Sequence, residues 1–146
     1  MQTKTLVSDL QKPFFVYGTL RPGFGNDWLW HNVAHAVENC RISGYRLALD
    51  YGLPFAVRTA NPDDSVIGSL IRQDTDDLDV RHDLLRSLDR LEGYPTMYDR
   101  SIATVYGPDG SVSDTAWVYH APHPDARNFR VFAPNPGNYA DVAMRR

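Results

Sequence analysis

Apolar and polar positions divide this chain into short blocks, several of them solidly apolar or alternating, and one that repeats every three to four residues. Lys12-Pro13 leads into the solid run Phe14-Phe15-Val16-Tyr17, which predicts a buried first strand. The run stops at Gly18-Thr19-Leu20-Arg21-Pro22-Gly23, a loop with glycine at both ends. Asn26 or Asp27 is placed to cap a short helix through Trp28, Leu29 and Val33. Over 40–49 apolar and polar residues roughly alternate, with Ile42, Leu47 and Leu49 prominent, and predict another strand. Tyr51-Gly52-Leu53-Pro54 reads as a turn, 55–59 as a short strand, Asn61-Pro62-Asp63-Asp64 as a surface loop and 66–71 as a further strand.

The clearest helix covers 79–92. Leu84, Leu88 and Leu91 fall at i, i+4 and i+7 with Leu85 beside them, one apolar stripe. Gly93 is placed to end it in a left-handed conformation, and Pro95 prevents resumption. A hairpin follows: 98–106 and 115–120 are strand-like, with Gly107-Pro108-Asp109-Gly110 as the turn. From Pro122 onward Pro, Asn and Gly dominate, and no regular structure is expected. Several strands around few helices predict an α+β fold with a mixed, curled sheet or partial barrel.

Length and charge narrow the picture. The 146 residues suit one domain, with a core over about 12–121 and terminal extensions at 1–11 and 122–146. A net charge of −3, with no cluster of Lys and Arg among the aromatics, argues against nucleic acid as a partner. The single cysteine, Cys40, excludes an intrachain disulfide and reads as a small buried hydrophobe. Residues 1–13 lack the apolar core of a signal peptide, and no apolar run approaches a membrane span, so the cytoplasm is the expected compartment.

Two segments carry candidate chemistry. Glycines in Tyr17-Gly18-Thr19-Leu20-Arg21-Pro22-Gly23 let a ligand approach the main chain, and successive N–H groups there can form an anion site. The plain reading is a tight turn after a buried strand. The loop has neither a dinucleotide fingerprint nor a P-loop lysine pattern. Glu92 ends the apolar stripe in the last helical turn, where the negative end of the helix dipole disfavours a carboxylate. Beside apolar and aromatic neighbours its pKa should rise, which suits a general base. The plain reading is an exposed glutamate.

These pieces together resemble the gamma-glutamylcyclotransferase-like (AIG2-like) family. Tyr17-Gly18-Thr19-Leu20 after an apolar strand, Leu88-Asp89-x-Leu91-Glu92-Gly93, Tyr98-x-Arg100 and Ala116-Trp117-Val118-Tyr119 carry the resemblance, in the family's order and spacing. Gly44-Tyr45-Arg46-Leu47, Pro54 and Val66-Ile67-Gly68 also fall where the family has similar signatures. The resemblance implies a mixed barrel with an enclosed pocket for a gamma-glutamyl group. The substrate's own α-amine would attack its γ-carbonyl, releasing 5-oxoproline and a free amine or amino acid. Glu92 takes the role of catalytic acid/base by this match. The backbone of Tyr17, Gly18, Thr19 and Leu20 would hold the glutamyl carboxylate or polarise the reacting carbonyl. Tyr98 and Tyr119 are implied as wall and hydroxyl contributors. The reaction requires no metal or organic cofactor, and the implied partner is a small gamma-glutamyl molecule, with the protein a monomer or weak homodimer. The chain departs from the family after Gly68, where Ser69-Leu70-Ile71 replaces an acidic or bulky polar-aromatic step, and in the aromatic Trp28-Leu29-Trp30.

Two other readings compete. His31 and His35 are four apart, as metal ligands on one helix face would be, and His120 and His123 would supply more. No His-Glu-x-x-His motif or cysteine cluster accompanies them, and solvated histidines explain them as simply. The second alternative is a non-catalytic binding or regulatory module that keeps the fold and pocket. A pure binder, however, gains little from a poorly placed buried carboxylate.

Overall fold

The first apolar run is solid because its strand lies between two packed layers. The computed structural model describes residues 6–122 and 129–143. In it, β1 (Phe14–Val16) follows a single helical turn, α1 (Val7–Leu10). Side chains alternate along a strand, so Phe15 and Tyr17 enter one cluster with Ile42, Leu70, Val105 and Val118. Phe14 and Val16 enter another with Ile71, Leu88 and Trp117. The same alternation recurs at Ala116, Trp117, Val118 and Tyr119, which fall by turns in the two clusters.

Four more strands close a ring with β1: β2 (Ala34–Ser43), β5 (Ser65–Gln73), β6 (Asp99–Tyr106) and β7 (Val112–His120). β1 runs parallel to β7 and antiparallel to β5, while β6–β7, β2–β6 and β2–β5 are antiparallel. The expected mixed, barrel-like sheet is therefore present, and the expected hairpin is β6–β7. A smaller sheet orders β4 (Leu53–Arg58), β3 (Tyr45–Asp50) and β8 (Val131–Phe132).

The expected helix is α2 (Leu78–Glu92), capped by the Asp77 carboxylate, which accepts from the Asp79 N–H. Gly93 takes φ 63°, and the Gly93 and Tyr94 N–H groups bond back to Arg90 and Asp89 carbonyls, a Schellman ending. Leu84, Leu85 and Leu88 are buried against the outer cluster. Leu91 departs from the stripe: it is 41% exposed.

Several expectations need correcting. The helix through Val33 is only a 3-10 turn, Asp27–Leu29, because both candidate caps are spent on the preceding loop. Asn26 Nδ2 donates to Thr19 Oγ1, and Asp27 accepts from the Gly23 N–H. The strand over 40–49 is two strands, broken at Gly44 (φ 84°), where the chain leaves the barrel for the second sheet. Regular structure also appears after Pro122. β8 pairs with β3, β9 (Gly137–Asn138) pairs with β5, and α3 (Tyr139–Ala143) follows.

Gly68 is the tightest point of the barrel. A Cβ there would overlap the Val16 carbonyl oxygen and come 2.7 Å from the Phe15 ring. Neither can retreat from the closed ring, so Gly68→Ala should cost about 2–3 kcal/mol. A thermal melt should fall by roughly 4–10 °C; an unchanged melt would show that β1 and β5 are not packed this closely.

Candidate active site

One cavity, of about 180 Å³, opens beside the end of β1. Tyr17, Gly18, Thr19, Leu20, Glu92, Tyr98 and Tyr119, the residues singled out from the sequence, all line it. Asn26 and Pro54 complete the inner wall.

The loop after β1 presents donors without partners. Its carbonyls are used: Gly18 accepts from the Arg21 N–H, Thr19 from the Asn26 N–H and Leu20 from the Trp30 indole. The N–H groups of Gly18, Thr19 and Leu20 donate to no acceptor among the described residues. Three successive free donors of this kind can form an anion cradle. Gly18 is required there, since a Cβ would lie 2.8 Å from Pro54 Cγ.

A buried cation holds this loop from behind. Arg21, 7% exposed, sends Nε to Ser69 Oγ (3.3 Å), Nη1 to Asn138 Oδ1 (2.9 Å) and Nη2 toward Glu38 (3.7 Å). Ser69 Oγ donates to the same Glu38 carboxylate. The carboxylate of this network thus comes from β2. β9, in the tail, enters the same network through Asn138.

Glu92 is half-buried in the last turn of α2. Burial pushes its carboxyl up to about 7, and no cation or donor among the described residues offsets it. Three residues earlier, Asp89 accepts from Arg100 Nε (2.9 Å) and Nη2 (3.3 Å) and from the Tyr119 hydroxyl (2.6 Å). The Arg100 guanidinium lies 4.4 Å from each of the Tyr94 and Trp117 rings. This brace pins the turn that carries Glu92 to β6 and β7. Sequence reasoning quoted Asp89 and Arg100 as signature residues and missed their role; a carboxylate on the helix turn before Glu92 was the one available signal.

The tyrosines are walls with committed hydroxyls. Tyr17 donates to the Tyr119 carbonyl (2.7 Å) and accepts from the Ala56 N–H (2.9 Å). Tyr98 donates to the Pro54 carbonyl (2.6 Å) and stacks on Phe55 at 4.4 Å. Burial, seconded by neighbouring groups, raises the pKa of all three well above the usual phenol. They stay neutral, and the Tyr98 and Tyr119 protons expected to serve substrate are engaged with protein.

The histidines do not form the pictured helix face. His31 lies in a turn, and His35 in β2 contacts Asp74 at 2.6 Å. His120 is buried, not solvated, with Ser101 and the Ala121 carbonyl on its two nitrogens. His123 lies outside the described residues. Among the described residues no group of His, Cys, Asp or Glu is arranged to hold a metal ion, and no helix is long and apolar enough to cross a membrane.

The barrel thus carries a free-donor loop at one strand end and, lining the same cavity, a carboxylate with no partner among the described residues. The chain belongs to the gamma-glutamyl cyclotransferase, AIG2-like family, which matches it over residues 14–140. An AIG2-like protein from Mus musculus is similar at 24% identity, with 82% of this chain and 84% of that one covered and a TM-score of 0.60. An uncharacterised protein from Pyrococcus horikoshii shares 19% identity over 91% and 93% of the two chains, TM-score 0.59. A structure named gamma-glutamyl cyclotransferase shares 17% identity over 84% and 72%, TM-score 0.56. At these identities the likeness is one of fold. No curated protein matches the chain.

Proposed function

We propose that this protein is a gamma-glutamyl cyclotransferase in which Glu92 is the catalytic acid/base. The observation that carries the reading is one cavity holding an unpaired carboxylate near neutral pKa and three unpaired backbone donors. The free N–H groups of Gly18, Thr19 and Leu20 bind the anionic end of the glutamyl group. That grip bends the substrate so that its α-nitrogen lies against its own γ-carbonyl, and holding this conformer supplies much of the rate.

Glu92 takes a proton from the α-ammonium. The freed amine attacks the γ-carbon, the ring closes, and the carbonyl electrons move onto oxygen. Glu92 then returns the proton to the leaving nitrogen as its bond to carbon breaks. The ring nitrogen still carries two hydrogens after the attack and gives one up through the same carboxylate to the departing amine. The products are therefore 5-oxoproline and an alkylammonium ion, and atoms and charge balance with no cofactor. A non-catalytic binder is the weaker reading, because a half-buried carboxylate without a partner costs stability and adds nothing to retention of a glutamyl group.

A panel of gamma-glutamyl amides, assayed for 5-oxoproline, tests the activity. The base must be ionised to act, and burial places its pKa at about 7. Accordingly kcat/KM should fall about tenfold per pH unit below that value. A profile still flat at pH 5 would exclude Glu92 as the base.

A further inference from the structure

The inner cavity accounts for the glutamyl group, and the outer part bears on what that group is attached to. Leu53, Leu91 and Met97 line the same cavity yet are 45%, 41% and 45% exposed. They therefore stand at its mouth, where the bond to the leaving amine emerges. They come from three places: the start of β4, the last turn of α2 and the segment before β6. Single exposed apolar residues are ordinary, but three converging on one opening form a patch of the kind that marks a binding surface.

The charge pattern agrees. Among the described residues lining the cavity Glu92 is the one carboxylate, and none is Lys, Arg or His. Thr19 and Asn26 are bonded to each other, and the Tyr17, Tyr98 and Tyr119 hydroxyl protons are donated to protein acceptors. An anionic leaving group would lose hydration at this mouth and find no cation among the described lining residues, and a cationic one would find only Glu92, which the reaction already employs.

Resting on the cyclotransferase reading, we infer that the mouth formed by Leu53, Leu91 and Met97 is a leaving-group subsite for uncharged, apolar amines. The favoured substrates are gamma-glutamyl alkyl or aryl amides, in preference to conjugates of lysine-like or acidic amines. Each methylene removed from water here favours binding by up to about fourfold.

Four amides of glutamate's γ-carboxyl test this: the methylamide, the n-hexylamide, and its length-matched 5-aminopentyl and 5-carboxypentyl analogues. The hexylamide should exceed each of the others in kcat/KM by about tenfold or more. Met97→Asp places a carboxylate at an exposed mouth position that the fold does not need filled. It should shift the aminopentyl-to-hexyl ratio about tenfold toward the cation. Equal turnover of the hexyl and aminopentyl amides, or a ratio unmoved by Met97→Asp, would overturn the inference while leaving the cyclotransferase reading intact. Absence of 5-oxoproline from all four amides, the methylamide included, would instead overturn that reading and this inference with it.

Discussion

Replacing Glu92 by Gln should lower kcat by about 10²–10⁴-fold, the range for removal of a positioned general acid/base. The substitution keeps size and polarity and removes the ability to shuttle a proton between the α-amine and the leaving nitrogen. Substrate affinity should change little, because the donors of Gly18, Thr19 and Leu20 are untouched. Stability should move the other way. Burial raises the folded-state pKa of Glu92 to about 7 from an ordinary 4.5. The ionised side chain therefore destabilises the folded protein fully above pH 7, and the penalty fades as pH falls toward 4.5. Glu92→Gln should melt higher than the parent at pH 8 and equally at pH 4.5. Kinetics and melts at the two pH values check both limbs. Parental turnover would remove Glu92 from the mechanism, and a lower melting temperature at pH 8 would make the residue structural.

Gly18→Ala should be the second most damaging change, lowering kcat/KM by about 10²-fold. The added methyl would lie 2.8 Å from Pro54 Cγ, and the loop cannot simply relax. Asn26 and Trp30 hold the Thr19 and Leu20 carbonyls, and Arg21 is anchored to Ser69 and Asn138. The misplacement falls on the three free N–H groups, and a shift near 1 Å in a positioning element costs about that factor. Binding of 5-oxoproline, followed by calorimetry, should weaken in parallel. Unchanged kinetics would mean the loop does not hold the substrate.

What could be read from the sequence was whatever is periodic or punctuated. The α2 stripe and its Gly93 ending, the solid apolar β1 and the turn of the β6–β7 hairpin are local signals, and the elements lie where those signals put them. β8 and β9 are two residues each and owe their existence to partners far away in the chain, such as Ala48 opposite Phe132. No period can announce them. Leu91 obeys the stripe and still escapes the core, because the helix ends over an opening instead of over the barrel. The meeting of Gly18, Thr19 and Leu20 with Glu92 was approached through the family resemblance, since nothing local links a loop after β1 to the end of α2. The Arg21, Ser69 and Glu38 cluster was invisible for a related reason: the β2 strand is irregular between Val37 and Cys40, where Glu38 sits.

The internal attack itself is tested most directly by running the reaction in ¹⁸O-water with a gamma-glutamyl alkylamide and identifying the first product. Internal aminolysis uses the substrate's own nitrogen, so 5-oxoproline should appear without label and in equal amount with the free amine. Glutamate carrying ¹⁸O as the first product would show that water is the nucleophile and would contradict the cyclisation on which this account rests.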